Sequence, residues 1–161
     1  INKELEFYPE NLRSLYVRGL IYGYRGKAGD FLKAEADFRR FTGWVPKEWA
    51  GYNDLAWVLS KSGKYKDAKE AINVAFREIP EAERNPWIWN SLGVAELNLM
   101  EYNAARASFE KAKNFAQGLT STDWRKSYPG NSPDQAISGL EAFHKALEDN
   151  IQKSWAVEKL P

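Results

Sequence analysis

The feature that most constrains this chain is an internal period. Gly29, Phe31, Ala34, Phe38 and Pro46 recur 34 residues later as Gly63, Tyr65, Ala68, Ile72 and Pro80. Tyr65, Ala68, Ile72 and Ala75 recur 37 residues later as Tyr102, Ala105, Phe109 and Ala112. Upstream positions keep the same register: Leu15, Gly19 and Tyr22 align with Tyr52, Ala56 and Leu59, then with Trp89, Gly93 and Glu96. A period of this length marks a supersecondary unit that buries its apolar surface by stacking on its neighbours.

The middle unit, Trp49–Pro80, shows what the unit is. Tyr52, Leu55, Ala56 and Leu59 fall at i, i+3, i+4 and i+7, one stripe of an amphipathic helix. Tyr65, Ala68, Ile72 and Ala75 form a second stripe beyond the turn Ser62-Gly63-Lys64. Gly63 allows a tight turn without a Cβ penalty, and small Ala56 and Ala68 let the helices approach closely. The spacing predicts an antiparallel helical hairpin with one apolar face left to cover.

These residues resemble the tetratricopeptide repeat family, whose unit carries an aromatic, a Leu-Gly pair, a turn Gly before Tyr, then spaced Ala, aromatic, Ala and Pro. They are Trp87-Ile-Trp-Asn-Ser-Leu-Gly93 with Tyr102, Ala105, Phe109 and Ala112, and Gly63 with Tyr65, Ala68, Ala75 and Pro80. The resemblance implies an all-α fold, a right-handed α-α superhelix (solenoid) of antiparallel helix hairpins. It divides a single domain, 1–161, into the end of a preceding repeat (1–11), three repeats (12–48, 49–85, 86–119) and a C-terminal region (120–161). Extra residues fall at Gly26-Lys27-Ala28 and near Glu81–Asn85, both in expected loops. Phe41 stands where the family pattern has Ala, and Arg18 and Glu96 interrupt the inward stripes.

The C-terminal quarter departs from the period. Gly118–Ser132 reads as a long polar loop with at most a short helix at Thr122–Tyr128. Ser132-Pro133-Asp134-Gln135 then gives an N-cap, a Pro at the first helical position and a Gln in capping-box spacing. Ala136, Leu140, Phe143, Leu147, Ile151 and Trp155 share one stripe of the helix that follows. This helix is read as a terminal cap, or else as a degenerate fourth repeat. Ile1–Tyr8 reads as the tail of a helix, and the chain is expected to be a piece cut from a longer protein.

Charge and composition narrow the function. Residues 1–80 hold 14 Lys and Arg against 11 Asp and Glu, and residues 81–161 hold 9 against 11. Neither half is an electrostatic magnet, so neither nucleic acid nor an anionic membrane is expected as a partner. No cysteine is present, which removes disulfides and thiolate metal sites. No apolar run approaches the ~18 residues of a transmembrane helix, and no signal-peptide pattern appears. The one histidine, His144, has no Cys or Ser-elbow companion, and no phosphate-binding loop or metal-loop spacing occurs. No enzyme activity, metal or cofactor is expected.

The resemblance places the concave face on the first helix of each hairpin. The side opposite the inward stripe presents Asn53, Trp57, Ser60 and Lys61 in the second repeat. It presents Tyr16, Leu20, Gly23 and Tyr24 in the first, and Asn90, Val94, Leu97 and Asn98 in the third. The candidate groove is therefore Tyr16, Leu20, Tyr24, Asn53, Trp57, Lys61, Asn90, Val94 and Asn98. Aromatics give contact area at low entropic cost, and amides can bind a peptide backbone with paired donor and acceptor. The alternative is that Tyr16 and Trp57 only pack between adjacent units. Trp49 and Trp87 are expected to fill gaps between units, and Trp44, Trp124 and Trp155 to pack or cap. One subtype of the family grips a chaperone's C-terminal carboxylate with Lys, Asn and Arg. Tyr16, Leu20 and Val94 stand where that clamp needs polar or cationic groups, and the amides of Asn53 and Asn90 do not neutralise two carboxylates, so the clamp is not expected. The expected role is a non-catalytic scaffold for a partner peptide or protein segment; the competing expectation is self-assembly into a homo-oligomer or larger complex.

Overall fold

In the computed structural model, residues 11–158 are described; the expected end of a preceding repeat in 1–10 lies outside them. All regular structure among the described residues is helical: α1 (Leu12–Arg25), α2 (Asp30–Trp44), α3 (Trp49–Lys61), α4 (Tyr65–Glu78), a 3-10 turn (Pro80–Arg84), α5 (Pro86–Asn98), α6 (Tyr102–Ala116), α7 (Ser121–Ser127) and α8 (Pro133–Glu158). The described helices gather into two compact units that divide between Glu83 and Arg84.

Local chemistry sets the helix ends. Asn11 and Asn85 are N-caps whose side-chain oxygens accept from Ser14 N–H and from Trp87 and Ile88 N–H. Ser132 and Gln135 cap reciprocally, at 2.8 and 3.2 Å, and start α8 as its sequence predicts. Thr120 and Asp123 form a second capping box before α7, which spans Ser121–Ser127, one residue earlier at each boundary than expected. Between α3 and α4, Gly63 takes φ +73° while Lys64 N–H donates to Leu59 C=O and Gly63 N–H to Ser60 C=O. Met100 adopts the same left-handed conformation (φ +64°) with the matching bonds Glu101 N–H to Glu96 C=O and Met100 N–H to Leu97 C=O. The α5–α6 turn thus keeps the left-handed helix-end geometry without its glycine.

In the first unit α1 packs on α2, α2 on α3 and α3 on α4, and the core runs through Leu15, Ala34, Phe38, Leu55, Leu59, Ala68, Ile72 and Ala75. Each hairpin pairs a small residue with a larger one. A Cβ on Gly19 would meet the Phe38 ring at 3.0 Å, and one on Gly93 would meet Phe109 at 2.5 Å. At the same register the middle hairpin has Ala56 and the smaller Ile72, both buried. Phe41, the residue in place of Ala, lies 4.9 Å from the Tyr16 ring and over Gly51, whose missing Cβ makes room for it.

The two charged interruptions of the inward stripes are paired. Arg18 donates to both Asp37 oxygens, at 2.8 and 2.5 Å, and Asp37 is buried. Ser108 donates to the buried Glu96 carboxylate at 2.6 Å. Both links join the helices of one hairpin. Arg25 likewise forks onto buried Asp30 at the α1–α2 turn, holding that carboxyl down at about 2.

In the second unit α5 packs on α6, and α8 lies along α6 and α7. Leu147 joins Ala112 and Ala116 in a core that Trp89, Leu119 and Phe143 flank. Trp87 stacks on Phe143 of α8 at 5.7 Å and meets Trp124 at 6.0 Å, so α8 provides one of its packing partners. Trp124 packs as expected, covering Gly139. Trp44 and Trp155 differ from the expectation: both are about half exposed, with Arg40 and Arg106 set over their rings.

Candidate functional site

Helix register divides α3 into two faces. Tyr52, Leu55, Ala56, Val58 and Leu59 are buried, whereas Asn53, Asp54, Trp57 and Ser60 are half-buried and Lys61 is exposed. On α1, Tyr16, Leu20 and Tyr24 follow at four-residue steps, half-buried, half-buried and exposed. Within the first unit, residues of these two rows meet. Tyr24 lies against Trp57 with ring centroids 4.8 Å apart, and Tyr24 keeps 77% of its surface open to solvent. The Trp57 ring spreads over Gly23, where a Cβ would fall 2.5 Å from it. Trp57 therefore packs from α3 onto α1 and stays partly exposed. Gly23 is covered by it and offers no floor of its own.

Tyr16 is similarly divided. Its ring packs on Phe38 and Phe41, and its hydroxyl donates to Asp54 Oδ2. Asn53 Nδ2 donates to the other Asp54 oxygen at 3.3 Å. Asp54 is the residue that the sequence reading missed. It lies three residues before Trp57 and seven before Lys61, so helical spacing alone would have put it on the same face. Desolvation pushes its carboxyl up from the usual 3.8 to about 6, against the opposing hydrogen bonds from Tyr16 and Asn53. The Tyr24 hydroxyl is raised too, first by desolvation and then by the Asp54 charge. The α1 and α3 cations are placed elsewhere: Arg18 and Arg25 are held by Asp37 and Asp30, and Arg13 and Lys61 are exposed.

The row on α5 is engaged within its own unit. Asn150 of α8 donates to Asn90 Oδ1 at 3.1 Å, and Asn98 donates to Val94 C=O at 2.8 Å. Val94 is half-buried. A separate open recess of about 380 Å³ lies between α2 and α4 over α3, lined by Arg39, Tyr52, Asp67, Glu70 and Val74. Two of its charges are neutralised locally, Arg39 by Glu35 and Glu70 by Arg77. Among the described residues no group of three or more His, Cys, Asp or Glu could hold a metal ion, and no helix is long and apolar enough to cross a membrane.

No family model matches the chain, and no curated protein matches it in sequence. Among solved structures it is similar to the TPR2B domain of yeast Sti1, solved as a complex with pHsp70. The TM-score is 0.58 at 14% identity, over 86% of this chain and 96% of that one. The likeness spans both units and agrees with the hairpin period, so the chain has the all-α fold of tetratricopeptide-repeat domains.

Proposed function

We propose that the chain is a non-catalytic protein-interaction module that binds an extended segment of a partner protein on the α1/α3 face of its first unit. The observation that carries this reading is the Tyr24–Trp57 pair. A large aromatic ring left 77% exposed, yet held against a second ring at 4.8 Å, is a preorganised anchor. Asn53 and the half-buried Leu20 extend the same face with an amide and an apolar contact. That yeast Sti1 TPR2B is solved as a complex with pHsp70 supports a protein-binding role for a domain of this fold. That the row on α1 carries Tyr16 and Leu20 rather than cations argues for a different ligand class from one gripped by its carboxylates.

Pull-down of binding partners with the parent chain and with Tyr24→Ala, followed by titration of each captured segment, tests the assignment. Tyr24→Ala is expected to weaken binding about tenfold, in the range of an exposed aromatic hot spot. Unchanged affinity would move the binding surface off this face.

A further inference from the structure

We propose that Asp54, together with the Tyr24–Trp57 ring pair, forms a receptor for an arginine side chain of the bound partner segment. The proposal rests on the α1/α3 face being the binding surface. An ionised carboxylate offers about four lone-pair positions, two on each oxygen. In the first unit one position on Oδ2 is taken by the Tyr16 hydroxyl and one on Oδ1 by Asn53 Nδ2. Each oxygen therefore keeps one free acceptor position, which is the pattern that a guanidinium fork satisfies with two parallel N–H donors.

Charge points the same way. Asp54 is half-buried, and no described cation pairs with it. The fully buried carboxylates of this unit, Asp30 and Asp37, each have their own arginine. Asp54 alone of these three is left with neutral donors, so it retains a negative charge that an incoming cation can neutralise. The aromatic pair completes the site. Trp57 sits one helical turn from Asp54 on α3, and Tyr24 is near enough for the Asp54 charge to act on its hydroxyl. A planar guanidinium can lie on such a ring face while donating to a carboxylate, whereas a compact ammonium uses both features less fully.

The test selects a phage-displayed random peptide library on the full chain, with counter-selection against Tyr24→Ala, so that the retained peptides engage this face. These peptides are expected to share one arginine. Replacing it with neutral, near-isosteric citrulline is expected to raise Kd about tenfold on the parent and less than about twofold on Asp54→Asn. Asp54→Asn keeps an acceptor for Tyr16, and a cooperative thermal melt verifies its fold. A second readout needs no variant: on the parent chain the arginine advantage shrinks between about pH 7.5 and about pH 5 as the carboxylate protonates. Besides Asp54, the titratable and charged side chains of the three packed helices are Arg13, Tyr16, Arg18, Tyr22, Tyr24 and Arg25 on α1, Asp30, Lys33, Glu35, Asp37, Arg39 and Arg40 on α2, and Tyr52 and Lys61 on α3, and none of these residue types has its ordinary transition in that range. An equal citrulline penalty on parent and Asp54→Asn, or an advantage that does not change with pH, overturns the arginine receptor and leaves the binding face standing. Selection that yields no Tyr24-dependent peptide overturns both.

Discussion

Asp54 and Asp30 show how one residue type acquires opposite roles from its neighbours. Asp30 has a guanidinium fork and sits near 2; Asp54 has only neutral donors in a desolvated position and sits near 6. For Asp54 the folded chain holds more protons than the unfolded one between about pH 4 and about pH 6, so its contribution to stability falls as pH rises through that window. The shift sets a ceiling of about 3 kcal/mol, and partial exposure lowers the expectation to ~1–2 kcal/mol. Asp54→Asn is therefore expected to be more stable than the parent at neutral pH and about equal to it near pH 4, measured by urea denaturation across pH. A variant destabilised at neutral pH would contradict this account of the carboxylate. Asp30 works in the other direction: its folded pKa is depressed, so its stabilisation is present above about pH 4 and is lost as pH falls towards 2. Arg18 and Asp37 carry a related prediction. Arg18→Ala strands a buried carboxylate and is expected to cost about 3 kcal/mol, while Arg18→Met with Asp37→Leu is expected to recover most of it. Thermal unfolding of the two variants measures the difference.

At the scale of the helical element, turn geometry and interhelical spacing are separable. Met100 occupies a left-handed turn position that Gly63 fills in the preceding hairpin. A side chain there costs roughly 1 kcal/mol, so Met100→Gly is expected to raise stability by about that amount despite the added freedom of the unfolded chain. A lowered melting temperature would refute it. Spacing depends on small–large pairs instead. Gly93→Ala forces a Cβ to within 2.5 Å of Phe109 and is expected to cost about 1–3 kcal/mol. Adding Phe109→Ile recreates the Ala56 and Ile72 combination of the middle hairpin, so the double variant is expected to be more stable than the sum of the single effects. Simple additivity in a thermal double-mutant cycle would rule out direct coupling.

At the scale of the whole molecule, the period describes three hairpins, and the second unit is completed by something outside the period. Helix α8 covers Ala112 and Ala116 with Leu147 and stacks Phe143 on Trp87. A chain ending at residue 131 would expose this surface. With roughly 1.5–3 kcal/mol for each large apolar side chain returned to water, the second unit is expected to lose several kcal/mol and to bind a hydrophobic dye. A truncated chain with an unchanged melt would show that α8 adds little. The same helix also ties up Asn90 through Asn150, so the α5 row has part of its hydrogen-bonding capacity satisfied inside the chain.

By itself the sequence determined the hairpins and their order. Apolar period, turn glycines and capping residues act within a few residues of one another, so Leu55, Gly63, Ile72 and the Ser132–Gln135 box carry their meaning locally. It also indicated which rows of α1 and α3 avoid the inward stripes, because helical register follows from spacing alone. Only the tertiary structure decided what those rows do. Asp54 lies 38 residues from the Tyr16 hydroxyl that it accepts, Asn90 lies 60 from Asn150, and Arg18 lies 19 from Asp37. Whether a carboxylate or an amide is neutralised, satisfied or left with open acceptor positions depends on partners brought in by packing, and no local pattern encodes that pairing.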